Sequence, residues 1–80
     1  MNQSILRIQV IGNASQKLVF NVLNAINRRK GNRVRQMDFA YRDKSQRGFL
    51  NVELHEPEHV LIRRISAVEG VVRVNSVAAF

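Results

Sequence analysis

The stretch ILRIQVIGNASQKLVFNVLNAINRRKG, residues 5–31, decides the fold because its apolar residues change from one spacing to another. Leu6, Ile8 and Val10 alternate with polar residues, which predicts a strand over residues 4–11 with one buried face. A turn with capping oxygens follows, and apolar residues then recur at spacings of three and four, as in an amphipathic helix. The closing glycine can adopt the left-handed conformation that ends many helices. The first unit is therefore a strand followed by a helix.

The remainder of the chain continues with two strands, a second helix and a last strand. The segments 33–42 and 49–55 alternate in polarity, and residues 43–48, DKSQRG, are predicted to connect them as an antiparallel hairpin. Pro57 is expected at the first position of a helix whose apolar stripe stops at Gly70. The final strand is VVRVNSV, residues 71–77.

The order βαββαβ predicts a ferredoxin-like plait of the α+β class, as a single domain over residues 1–80. Right-handed crossovers place the first and third strands at the centre of a four-stranded antiparallel sheet with both helices on one face. The residues expected on the helix-covered face are Leu6, Ile8, Val10, Leu50, Val52, Leu54, Val72 and Val74. Those expected on the open face are Arg7, Gln9, Asn51, Glu53, Arg73 and Asn75, which make it polar, mixed in charge and without aromatic residues.

Composition restricts the function. The chain has 80 residues with 13 Lys and Arg against 6 Asp and Glu, a net charge of +7 and no cysteine. A domain this small buries little surface, so self-association or docking on a partner is expected. The absence of cysteine excludes disulfides, thiolate metal sites and a cysteine nucleophile. A basic chain suits nucleic acid, anionic lipid or an acidic protein. Arg7 and Gln9 interrupt the apolar N-terminus, so we expect a cytoplasmic protein without a membrane segment.

The segment HEPEH, residues 55–59, matches the H-E-x-x-H pattern of zinc peptidases. That chemistry requires both histidines on one face of a helix, and Pro57 would break such a helix. The expected reading is a junction between a strand and a helix. We therefore expect no metal, no cofactor and no catalytic residues, and the chain is not predicted to be an enzyme.

The segment RGFLNVEL, residues 47–54, partly resembles the RNP1 motif of RNA-recognition domains. Such domains stack bases on aromatic residues of the two central strands. Here Phe49 is present, whereas Asn51 and Arg7 occupy the other stacking positions. RNA binding on the open face stays an alternative, less favoured than a structural role for this segment.

A basic cluster runs from the end of the first helix into the second strand. Its members are Arg28, Arg29, Lys30, Arg33 and Arg35. Cations at this helix end complement the negative end of the helix dipole. The same cluster could serve as a docking patch for an acidic surface.

Residues 27–34, NRRKGNRV, combine a basic helix end with a glycine and a β-branched entry to the next strand. Residues 37–40, MDFA, and 49–54, FLNVEL, lie in the predicted second and third strands. These three segments resemble those of ACT domains, βαββαβ modules that regulate enzymes of amino-acid metabolism, and above all the short regulatory subunits of acetolactate synthase. The likeness covers roughly residues 5–78. It does not extend to the additional C-terminal domain of the longer subunits.

The resemblance implies a non-catalytic subunit that forms a homodimer through the sheet edge and binds the large thiamine-diphosphate-dependent chain of acetolactate synthase. The implied dimer and partner contacts are Arg28, Arg29, Arg35, Met37, Phe39 and Tyr41. A branched-chain amino acid is a possible effector, and its implied site comprises Asn13, Ser15, Gln16, Leu18 and Arg33. Ser15, Leu18 and Arg33 differ from the residues that longer family members carry there, so feedback by valine stays open. A stand-alone amino-acid-sensing ACT domain is the other alternative.

Overall fold

The computed structural model describes residues 4–77 and has the predicted order of elements. These are β1 (Ser4–Asn13), α1 (Lys17–Asn27), β2 (Arg33–Arg42), β3 (Ser45–Leu54), α2 (Glu58–Ser66) and β4 (Val71–Val77). The strands form one antiparallel sheet in the order β2-β3-β1-β4. The prediction of a βαββαβ plait with β1 and β3 at its centre is confirmed.

The hydrophobic core lies between the two helices and one face of the central strands. Its fully buried members are Ile8, Val10, Leu18, Val22, Ile26, Leu50, Val52, Leu61 and Ile65, with Ala25 nearly so. Alternate residues of β1 and β3 contribute to this set because successive side chains of a strand point to opposite faces. Both helices therefore cover the same face, and the opposite face is open.

The hairpin between β2 and β3 is shorter than predicted, since only Asp43 and Lys44 connect the strands. Asp43 has a φ of 57°, a left-handed conformation that aspartate tolerates better than most residues. Residues 45–48 belong to β3, although their sequence is polar. Gln46 is buried there because its Nε2 donates hydrogen bonds to the backbone oxygens of Asn13 and Ser15, both at 3.2 Å.

The prediction that Val72 lies on the helix-covered face is wrong. The β1–β4 register places Ile11 opposite Arg73 and Gly12 opposite Val71, so Val72 is an additional residue between two pairs. Such a bulge shifts the alternation of side chains by one position. Val71 packs against the core instead, and 78% of Val72 is exposed.

The helix ends follow the proline and glycine signals with small differences. Pro57 occupies the N-cap of α2, with φ −59° and ψ 139°, rather than its first helical position. Helix α2 ends at Ser66, and Gly70, with a φ of 94°, lies in the turn before β4. Gly31 follows α1 with a φ of 99°, as predicted for a helix-terminating glycine. Within residues 4–77, neither helix is long and apolar enough to cross a membrane.

Candidate functional site

Strand β2 lies at one edge of the sheet and carries exposed apolar side chains. It pairs only with β3, so the backbone groups along its other side have no strand partner within residues 4–77. Met37 is 45% exposed and Tyr41 60% exposed. Phe39 is only half-buried and packs over Gly48, where a methyl group would lie 2.3 Å from its ring. Of the three predicted edge contacts, Met37 and Tyr41 are available to a partner, and Phe39 also supports the core.

The predicted basic cluster is divided among different contacts. The Arg29 Nε donates a hydrogen bond to the backbone oxygen of His55 at 3.1 Å. Arg35 forms an ion pair with Glu53, whose side chain is buried. Arg28 ends α1 and lines an open groove of about 340 Å³ between the helices. Arg28, Lys30 and Arg33 are exposed, so these three cations are presented to solvent.

A buried polar network joins the ends of α1 and β3 to α2, and the sequence analysis missed it. The guanidinium of Arg64 donates two hydrogen bonds to the carboxylate of Glu56, at 3.1 and 2.5 Å, and one to the backbone oxygen of Ala25 at 2.7 Å. Asn32 donates to Glu56 at 2.6 Å and to the backbone oxygen of Ile26 at 3.1 Å. Its own oxygen accepts from the His55 backbone amide.

The network lowers the pKa of Glu56 below its usual value of 4.5. The hydrogen bond from Arg64 has the largest influence, burial opposes it, and the hydrogen bond from Asn32 adds to the lowering. A carboxyl whose pKa is lower in the folded than in the unfolded protein stabilises the fold above the unfolded pKa. This contribution is lost as the pH falls through the folded pKa.

We therefore expect the wild type to lose stability below pH 4.5 more steeply than a Glu56→Gln variant, which carries no ionisable group there. Urea unfolding at pH 6 and pH 3 checks this difference. The free-energy gap between the two proteins should be larger at pH 6. An equal gap at both pH values would contradict the role of the Glu56 charge.

In the HEPEH segment, Glu56 is held in this network, and the two histidines are not arranged to bind one metal ion. His55 follows β3, Pro57 caps α2, and His59 lies on that helix, so the two histidines do not share one helical face. The carboxylate between them accepts hydrogen bonds from Arg64 and Asn32. The described part of the chain contains no group of three or more potential metal ligands.

The predicted effector residues are only partly brought together. Asn13, Ser15 and Leu18 line a cavity of about 230 Å³ at the junction of β1 and α1, with Lys17, Asn21 and Glu69. The Asn13 side chain accepts a hydrogen bond from the Ser15 amide, and the Ser15 hydroxyl accepts one from the Lys17 amide. Gln16 is exposed beside them.

Two of the predicted effector residues are poorly placed within one chain. Leu18 is buried in the core, so its side chain is committed to packing. Arg33 belongs to the opposite end of the sheet, because it pairs with Glu53 and, through it, with Ile5. Ile5 is about 27 Å from Asn13 along β1, at roughly 3.4 Å per residue. The structure therefore separates Arg33 from the other predicted effector residues.

The expectation of an open face without aromatic residues is wrong. Phe49 lies opposite Gln9 and Asp38 in the register and therefore shares their face. The guanidinium carbon of Arg7 is 5.0 Å from the centre of its ring, within the range of a cation–π contact. Arg7 also donates a hydrogen bond to Asn51 at 3.1 Å.

Known structures share this arrangement, although sequence searches give no relative. No protein-family model matches the chain, and no curated protein matches it. The crystal structure of the ACT domain from GTP pyrophosphokinase of Chlorobium tepidum has a TM-score of 0.78 at 14% identity, covering 95% of this chain and 100% of that one. Its solution structure has a TM-score of 0.77 at 15% identity, covering 100% and 92%.

The crystal structure of an unknown protein from Galdieria sulphuraria gives a TM-score of 0.76 at 15% identity. The match covers 99% of this chain and 48% of that protein, so the chain spans about half its length. At these identities the likeness concerns the arrangement of strands and helices. The chain has the fold of an ACT domain.

Proposed function

We propose that the chain is a non-catalytic regulatory subunit that dimerises through β2 and binds the large catalytic chain of acetolactate synthase. The observation that carries the proposal is the unpaired edge of β2, with Met37 and Tyr41 exposed, on the fold of an ACT domain. An unpaired strand edge is a template for pairing with another strand. Exposed apolar side chains beside it add buried surface when two copies join.

The choice of acetolactate synthase rests on sequence likeness in segments that have defined structural roles. Gly31, within the likeness over residues 27–34, adopts the left-handed conformation after α1. Asn32, the next residue, ties α1 to the start of α2 through Ile26 and Glu56. These residues hold the end of α1 against the strand–helix junction and leave Arg28 and Arg33 exposed for a partner.

A double variant, Met37→Lys with Tyr41→Lys, is expected to shift the dimer to monomer. Lysines on an edge strand repel their counterparts in the second copy and oppose strand pairing. Light scattering coupled to size exclusion should show dimerisation weakened by at least tenfold. The matched control is Ile5→Lys with Val72→Lys, which adds the same charge at two exposed apolar positions away from β2. A strictly monomeric wild type at high concentration would contradict the dimer.

The partner is tested by co-expression with a tagged acetolactate synthase catalytic chain. We expect the two chains to co-purify and the activity of the catalytic chain to rise when the subunit is added. The double β2 variant should lose this effect if the dimer is the binding form. A dimeric subunit that neither co-purifies nor changes activity would contradict the choice of enzyme and leave the dimer intact.

Sensing of an amino acid is a second candidate function, favoured by the cavity at the β1–α1 junction. Lys17 and Glu69 line it together with the polar side chains of Asn13, Ser15 and Asn21. A cation and an anion in one cavity complement the carboxylate and ammonium groups of a free amino acid. The candidate therefore requires a small zwitterionic ligand.

Thermal shift against the twenty amino acids tests the sensing function. A ligand that binds the folded protein alone raises the melting temperature by mass action. A Lys17→Gln variant should lose the shift if its cation holds the carboxylate, whereas Lys30→Gln should keep it. A wild type without a shift for any amino acid would contradict the sensing function.

A further inference from the structure

We propose that the open face of the sheet binds single-stranded nucleic acid. The inference is independent of the regulatory function, because Met37 and Tyr41 lie opposite Leu50 and Gln46 on the helix-covered side and do not belong to the open face. It rests on three observations: a stacking centre, a row of arginines and a cavity beside the row.

The stacking centre is the pair of Phe49 and Arg7 in the middle of the face. Both side chains are half-buried on the central strands, with the guanidinium 5.0 Å from the ring centre. Unpaired bases stack on aromatic rings and on arginine guanidinium planes in proteins that bind single strands. The amide of neighbouring Gln9 is of the kind that hydrogen-bonds base edges, whereas Asn51 holds Arg7 in place by accepting its hydrogen bond and donates its own to Gln36.

The row of arginines crosses the sheet next to this centre. Arg47 on β3 and Arg73 on β4 both lie opposite Ile11 on β1, so the three share one face. The two arginines are exposed and stand two strand spacings apart, about 10 Å. Arg35 neutralises the carboxylate of Glu53 on this face. Asp38, opposite Phe49, places one carboxylate beside the stacking centre, and Arg7, Arg47 and Arg73 outnumber it, so the net charge there is positive.

A cavity of about 260 Å³ continues the row toward the hairpin. Ile11 and Ala40 supply apolar lining, and Arg42 and Arg47 supply two guanidinium groups. The Tyr41 ring does not belong to the open face, because Tyr41 lies opposite Gln46, which is buried on the helix-covered side. An apolar lining beside two cations, next to the ring of Phe49, fits a nucleobase joined to a phosphate. An acidic protein segment would use the cations but not the aromatic surfaces. The chemistry of the face therefore favours a single-stranded nucleic acid over an acidic peptide.

The direct test is fluorescence anisotropy of a fluorescein-labelled twelve-nucleotide oligouridylate at increasing salt. Three phosphate contacts, from Arg42, Arg47 and Arg73, would give a slope of log K against log salt of about −2, at roughly −0.7 per contact. The double variant Arg47→Gln with Arg73→Gln should weaken binding at least tenfold and reduce the slope to about −0.7. Phe49→Leu keeps an apolar side chain and should weaken binding by about fivefold to a hundredfold.

The matched control is Lys30→Gln with Arg63→Gln, which removes the same charge at two exposed positions outside the open face. This control should bind within about threefold of the wild type, and circular dichroism melts should show that all variants are folded. An equal loss of affinity in both double variants would show that binding depends only on net charge, and this would overturn the proposal. Three further results would also overturn it: no anisotropy change at 50 mM salt, equal affinity for duplex, or equal competition by polyglutamate.

Discussion

Replacing Glu56 with alanine is expected to destabilise the protein by about 3 kcal/mol, because truncating one member of a buried ion pair leaves the other without its partner. The variant removes the acceptor of two hydrogen bonds from Arg64 and one from Asn32. The side chain of Arg64 is 19% exposed, so water can only partly replace the carboxylate. For a domain of this size, such a loss lowers the melting temperature by roughly 15 °C.

The matched control is Glu58→Ala, two residues away and exposed on the first turn of α2. Within residues 4–77 that carboxylate has no hydrogen bond or ion pair and lies at the positive end of the helix dipole, so its loss should cost less than about 1 kcal/mol. Calorimetry of the two variants at pH 7 measures the contrast. Equal melting temperatures for the two would show that the network does not stabilise the fold.

Replacing Gly12 with alanine is expected to cost about 3 kcal/mol, in the upper range for overpacking of a closely packed site. A β-carbon there would lie 2.6 Å from the backbone oxygen of Gly70 and 2.8 Å from Leu18. The Gly70 oxygen accepts a hydrogen bond from the Asn13 amide at 2.9 Å. The turn before β4 therefore cannot move away without losing that bond.

Gly48 provides the contrast, because an added β-carbon there meets the side chain of Phe39 rather than a backbone atom. Gly48→Ala should regain much of its lost stability when combined with Phe39→Leu, which withdraws the ring. Gly12→Ala combined with Leu18→Val should not recover, since the Gly70 oxygen remains in place. Urea unfolding of the two double-mutant cycles gives the coupling energies. Recovery at Gly12 would show that the clash is with Leu18 alone.

The order of elements could be predicted because each element carries its own local signal. The bounds of β2 and β4 match the predicted segments, and Gly31 has the conformation that its place after α1 requires. The extent of β3 could not be predicted, because Gln46 is buried by hydrogen bonds to backbone oxygens more than thirty residues away in sequence. The Val72 bulge gives no signal either, since three of four consecutive residues there are valines.

The candidate site was less predictable than the fold. Leu50 is predicted on the helix-covered face, and neighbouring side chains of a strand point to opposite faces. The sequence therefore already indicated that the Phe49 ring lies on the open face. The contact of Asn32 and Arg64 with Glu56 joins three elements and has no local pattern. Likewise, the distance of Arg33 from Asn13 follows from strand register rather than from residue type.

The bulge at Val72 makes the two outer strands of the sheet unequal. Both outer strands have a register shift near their start, but β2 has ten residues with a regular run of seven from Gln36 to Arg42, whereas β4 has seven residues with a regular run of five from Arg73 to Val77. A molecule with two edge strands that can each pair with another copy can add copies indefinitely and form a fibre. A molecule with only one such edge strand instead forms a two-fold dimer. Deleting Val72 would make β4 regular, so that it could pair with another copy and allow polymerisation.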